Sequence, residues 1–174
     1  MYFGKATELA GYSKATLWMA TDDHDEMDVG VQTRKIHGTA KPLRHLNYKC
    51  PVPVEEVPDF NTAKTLGPQG FLQASHRVSL NREASSETDV VYTRRKRKPI
   101  PPGTKVRLEI PIWPMGMVFA AGEGIMFRVS GHNMCLPETE LCRLQEPEDK
   151  NIGRHNVFSG GQYDSSLTVP VIPK

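Results

Sequence analysis

Thr104-Lys-Val-Arg-Leu-Glu-Ile-Pro-Ile112 alternates apolar and polar residues with a period of two. Val106, Leu108, Ile110 and Ile112 fall on one face, and Lys105, Arg107 and Glu109 on the other. Successive side chains of an extended chain point to opposite sides, so this pattern predicts a strand with one buried face. Pro111 lies on the polar face and removes one backbone donor, which suits an edge strand or a bulge. Working outward, Lys14–Ala20, Asp28–Ile36, Gly70–Val78, Gly124–Ser130 and Ser166–Ile172 also read as short strands. No stretch of ten or more residues has a convincing 3.6-residue apolar period.

Composition agrees. The 174 residues include 14 glycines and 14 prolines, a content awkward for long helices but too low for disorder. That length fits one domain, residues 1–174, able to bury a core without a disulfide or a metal. Short strands without intervening helices imply an all-β sandwich or barrel. Between them, Pro51–Pro58 is too proline-rich for a regular element, and Lys98–Gly103 makes a rigid turn into the best strand. Leu136–Gly153 is a long polar crossing, and Trp113–Phe119 reads as an apolar, loop-like stretch.

The formal charge is +2, too small to call for a polyanion, so no nucleic acid is expected as partner. The N-terminus lacks the apolar core of a secretory signal, and no run approaches the length of a membrane span. A cytoplasmic, reduced protein with no membrane partner is the expectation. Three cysteines is an odd number, and the separation of Cys135 and Cys142 is not that of a zinc knuckle. No metal and no cofactor is expected.

Ordered motifs add a family. Pro102-Gly103, the alternating strand, Ile112-Trp113-Pro114 and Phe119-x-x-Gly122-Glu123 form one set. Gly153-Arg154-His155, Gly160-Gly161-x-Tyr163-Asp164-Ser165 and Pro170-Val171-Ile172-Pro173 form a second. Upstream, Phe3-Gly4-x-Ala6-Thr7-Glu8-Leu9-x-Gly11-Tyr12, Leu17-Trp18, Asp22-Asp23 to Met27-Asp28 and Ser75-His76-Arg77 keep the same order. Over nearly the whole chain this set resembles the C-terminal domain of the X-Pro dipeptidyl-peptidase and CocE/NonD hydrolases. The resemblance implies a galactose-binding-like jelly-roll β-sandwich. It also implies that the Ser-His-Asp chemistry of those enzymes belongs to a separate α/β-hydrolase domain. Gly11-Tyr12-Ser13-Lys14-Ala15 is the nearest approach to a nucleophile elbow here. An elbow must follow a strand and open a helix, whereas Ser13 precedes a strand, so it is not expected to act as a nucleophile.

Several constellations have a plain and a functional reading. Asp22–Asp28 is an acidic turn that either caps itself or holds a divalent ion. Arg94-Arg95-Lys96-Arg97-Lys98 lacks interleaved aromatics and reads as a solvated connector. Gly122-x-Gly124 has no βαβ context for a dinucleotide. His132-Asn133-Met134-Cys135 opens the long loop.

Two functions follow. The first is a free-standing jelly roll binding a small, largely apolar molecule and promoting its cyclisation or isomerisation by preorganisation, without a covalent nucleophile. Trp18, Trp113, Met117 and Phe119 would shape that site, with His76, His132, His155 and Tyr163 as polar anchors. The start at Met1 favours this reading. The second is a noncatalytic accessory module, either carbohydrate-binding or the C-terminal domain of a serine peptidase or esterase. An exposed Trp113–Phe119 face would favour a homodimer.

Overall fold

A computed structural model describes residues 1–43, 45–46, 52–53, 56–57, 64–65, 67–132, 134 and 151–173. Its strands are β1 (Thr7–Thr21), β2 (Asp28–Ile36), β3 (His45–Leu46), β4 (Lys64–Thr65) and β5 (Gln69–Gln73). They continue with β6 (Val106–Phe119), β7 (Gly124–Ser130), β8 (His155–Phe158) and β9 (Ser166–Thr168). One sheet has the order β6-β1-β8, with β9 also pairing β1; a second has the order β5-β2-β7. A small β3–β4 pair stands apart, and every pairing is antiparallel. The two larger sheets face each other as a β-sandwich.

The core follows from the alternation. Leu108, Ile110 and Ile112 of β6 are fully buried and Val106 nearly so. They meet Ala15, Leu17 and Met19 of β1 and Val29 and Val31 of β2 across the sandwich. Polar Lys105 and Arg107 remain outside, as the period-two reading requires. A second cluster of Leu9, Met117, Phe119 and Ile125 closes one end, and Phe3 stacks on Phe119 with ring centroids 4.8 Å apart.

Trp113–Phe119 corrects the loop expectation: it is strand, the second half of β6. Ser13 pairs with Ile112 but Gly11 with Met115, so β6 spends one residue more than β1 between these rungs. This is a bulge, and it reverses the inward parity. Ile112 points in, then Met117 and Phe119 do. Gly11 takes φ 124°, a conformation that favours glycine, where the chain bends past Pro170. Pro111 sits on an edge strand, as expected.

Gly70–Val78 is also corrected. Its strand ends at Gln73, and Ala74–Ser79 form a short 3-10 helix. The ladder makes one last bond and then its next donor is diverted to a side chain. Ala74 N donates to Met27 O (2.8 Å), and Ser75 N donates to the Glu26 carboxylate (2.8 Å). The closing segment is strand only through Thr168, after which an isolated bridge joins Val171 to Leu9. Half of Pro51–Pro58, most of Leu136–Gly153, and all three cysteines lie outside the described residues.

Candidate functional surface

The bulge end of the sandwich exposes several large apolar side chains on its outer face, with the exposed Glu8 among them. Glu8 of β1 faces Val118 of β6 across one ladder, and its carbonyl accepts the Ile172 N–H (2.9 Å) on the other side. The next rung places Gly116 opposite Ala10, whose N–H donates to Pro170 O (3.1 Å). Tyr12 follows on the same face of β1. Val118 is 65% exposed and Trp113 64%, and Tyr12, Val171 and Ile172 are also exposed. Of these, Tyr12, Val118 and Ile172 fall on the outer face by strand parity, and a contiguous exposed apolar patch marks a contact surface whereas isolated exposed apolar side chains do not.

The side chains expected to form one ligand site occupy several separate places. Trp18 and Tyr163 do meet, edge to face at 5.2 Å, with Phe158 beside them and Lys105 Nζ 4.3 Å from the Tyr163 ring centre. Ser165 orders that turn, accepting from Trp18 N and donating to Phe158 O. Trp113 and Met117 line a crevice with Leu9, Met115 and Ile125 that has only about 10 Å³ of free space. Phe119 is wholly enclosed in the core. His76 hydrogen-bonds the Lys96 carbonyl oxygen through Nδ1 at 3.2 Å. His132 lies just past β7 and its ring meets Ser130. His155 pairs with Thr21 in the β1–β8 ladder, and its buried Nε2 has no hydrogen-bond partner.

The charged runs prove to be structural joints. Arg154 Nε donates to Asp22 and Arg154 N to Asp23, while Asn156 donates to Asp22. The acidic turn is thus tied to β8. No group of three metal-ligating side chains is found among the described residues. Glu26 is the centre of a second joint. It accepts from Met27 N and Ser75 N through one oxygen and from Arg97 Nη2 (3.0 Å) through the other. Burial pushes its carboxyl up, but the bonds from Ser75, Arg97 and Met27 outweigh this and hold it below its ordinary value. Arg77 ties the 3-10 helix to the basic run by donating to Ala74 O and Lys98 O. Part of the basic run is therefore anchored. Both runs stand out in the sequence, but nothing local pairs Glu26 with Arg97, 71 residues away. Ser13 lies inside β1 at the bulge, with no helix following it.

The fold is a β-sandwich, and the acidic turn and part of the basic run are tied into it as structural joints. The X-Pro dipeptidyl-peptidase C-terminal non-catalytic domain family matches residues 1–168, and the chain belongs to that family. Among solved structures, a CocE/NonD family hydrolase from Staphylococcus aureus is similar, with 27% identity and a TM-score of 0.79. The match covers 99% of this chain and 30% of that one, so the chain spans less than a third of its relative's length. An aminopeptidase from a marine sediment Thaumarchaeota archaeon is similar at 16% identity and a TM-score of 0.59, covering 99% of this chain and 25% of that one. An α-amino acid ester hydrolase is similar at 13% identity and the same TM-score of 0.59, covering 99% of this chain and 24% of that one. At those identities the last two show the fold alone. No curated protein matches the chain. No helix among the described residues is long and apolar enough to cross a membrane.

Proposed function

We propose that this chain is the noncatalytic jelly-roll module of a CocE/NonD-type hydrolase, and that it seats on an α/β-hydrolase domain through the strip of Tyr12, Val118 and Ile172. The observation that carries this reading is coverage. Nearly the whole chain aligns with under a third of a hydrolase that bears the same kind of domain. The strip supports it physically, because burying such side chains against a partner is worth about 25 cal/mol per Å² of apolar area. The reading as a free-standing small-molecule cyclase or isomerase has less support. The crevice at Trp113 and Met117 is about the size of one water, and the other expected lining residues are elsewhere.

The test pairs the purified chain with a separately produced α/β-hydrolase domain of this family. Size-exclusion chromatography reads complex formation, and hydroxyl-radical footprinting reads the surface. The expected result is a one-to-one complex with Tyr12, Val118 and Ile172 protected, and no hydrolysis of p-nitrophenyl esters by the chain alone. A footprint elsewhere, a chain dimer occupying the strip, or ester hydrolysis by the isolated chain would overturn the reading.

A further inference from the structure

We infer that a polar cleft on the outer face of the β1–β6 pair binds a small oxyanion, of the phosphate monoester or carboxylate type. Its floor is Lys14, Arg107 and Glu109, and its wall is the 80–92 segment, which contributes Arg82, Ser85 and Ser86. The cleft has a volume of about 360 Å³, within the range of small-molecule sites.

The wall is a built element. Asn81 N donates to Val91 O (2.8 Å), Thr93 N to Ser79 O (3.0 Å) and Ser86 N to Asp89 O (2.8 Å). Inside the loop, Ser85 Oγ donates to Asn81 O (2.6 Å) and accepts from Val91 N (3.0 Å). Buried Val90 anchors the loop, and Tyr92 donates its hydroxyl to Glu109 O at 2.6 Å. That bond ties the loop to β6 at Glu109, whose side chain lines the cleft together with Arg107 and Arg82.

Charge decides the ligand. Three cations line the cleft against one carboxylate. Glu109 is shared between Lys14 (3.7 Å) and Arg107. Arg107 contacts it through Nη1, and a guanidinium has five N–H donors, so most of that fork is left for a ligand. Ser86 Oγ already accepts from Asp89 N (2.9 Å), leaving its O–H to donate. Lys14 and Glu109 are only 13% and 12% exposed, so the floor is partly desolvated and its field is screened less than that of free surface charges. Two guanidinium forks, an ammonium and a hydroxyl donor suit an oxyanion, which accepts several charge-assisted bonds at once.

Isothermal titration of the full chain with inorganic phosphate, glycerol phosphate and acetate tests this at low and high salt. Binding that weakens with salt is expected, and the stronger of the phosphate and acetate arms names the ligand class. Arg82→Gln and Arg107→Gln should each weaken it about tenfold, the size of one charge-assisted hydrogen bond. Glu109→Gln, which removes the competing carboxylate, should tighten it, and Lys5→Gln outside the cleft should leave it unchanged. Circular dichroism melts confirm that the variants fold. No heat at millimolar ligand, or binding that Lys5→Gln lowers as much as the arginine variants do, would overturn the inference. So would binding indifferent to both arginines.

Discussion

Replacing Gly70 with alanine probes how the sandwich is closed along one side. Gly70 lies in β5, the edge strand of one sheet, and faces β6, the edge strand of the other. A Cβ built on Gly70 would overlap the Pro111 carbonyl oxygen, with the Pro111 carbonyl carbon at 2.8 Å and Ile112 Cα at 3.2 Å. These obstacles are backbone atoms, so no rotamer change relieves them. Ordinary carbon–carbon contact is about 3.5–4.0 Å, so the two edges must part by roughly 1 Å. That separation loosens Ile110 and Ile112, both fully buried. Overpacking of this kind costs about 1–3 kcal/mol, and the backbone contact puts Gly70→Ala at about 3 kcal/mol. For a domain of this size, that lowers the melting temperature by about 6–12 °C. Urea unfolding followed by fluorescence of the two tryptophans reads the effect. Gly116→Ala is the matched control, because a Cβ there meets nothing within 4 Å. It should stay within about 0.5 kcal/mol of the parent. If Gly70→Ala also stays within that margin, the close approach of β5 to β6 does not hold the sheets together and the account of closure fails.

Two further outcomes follow from titratable groups. Glu26 has its carboxyl held below the ordinary 4.5, so the stability it adds is complete above that pH and is lost as pH falls through the lowered folded value. Glu26→Gln should cost about 1–3 kcal/mol at pH 7, and its melting curve should converge on that of the parent in acid; parallel curves from pH 7 to 3 would refute the joint. Burial, and then the charge of Glu109, push the Tyr92 phenol up to about 12. A raised phenol favours the folded state up to the unfolded value near 10, and the advantage fades as pH rises towards 12. Ultraviolet titration should show a tyrosine ionising late, and Tyr92→Phe should remove that component; its persistence would assign it to another tyrosine.

Much of this protein is legible locally. The alternation of Val106, Leu108, Ile110 and Ile112 survives because each side chain's face is set by the two-residue repeat of its own strand. The glycine and proline content excluded long helices, and the ordered motifs placed the chain in its family. Two elements read wrongly for the same reason. Trp113–Phe119 looked like a loop because the bulge breaks its parity, and that bulge exists only in the register with Gly11 and Ser13. Gly70–Val78 looked like one strand because the Glu26 carboxylate that ends it is 49 residues away from Ser75.

The same division holds for function. The sequence by itself determined an all-β domain and, through its ordered motifs, membership of the X-Pro dipeptidyl-peptidase C-terminal non-catalytic domain family. Tertiary structure decided which charges are spent and which remain available. Glu26 is consumed by Arg97 and Ser75, and Asp22 by Arg154. Lys14, Arg82 and Arg107 converge on one cleft although they are far apart in the chain. Side-chain parity is a property of one strand, but charge pairing requires two segments to meet, and only the packed sheets bring them together.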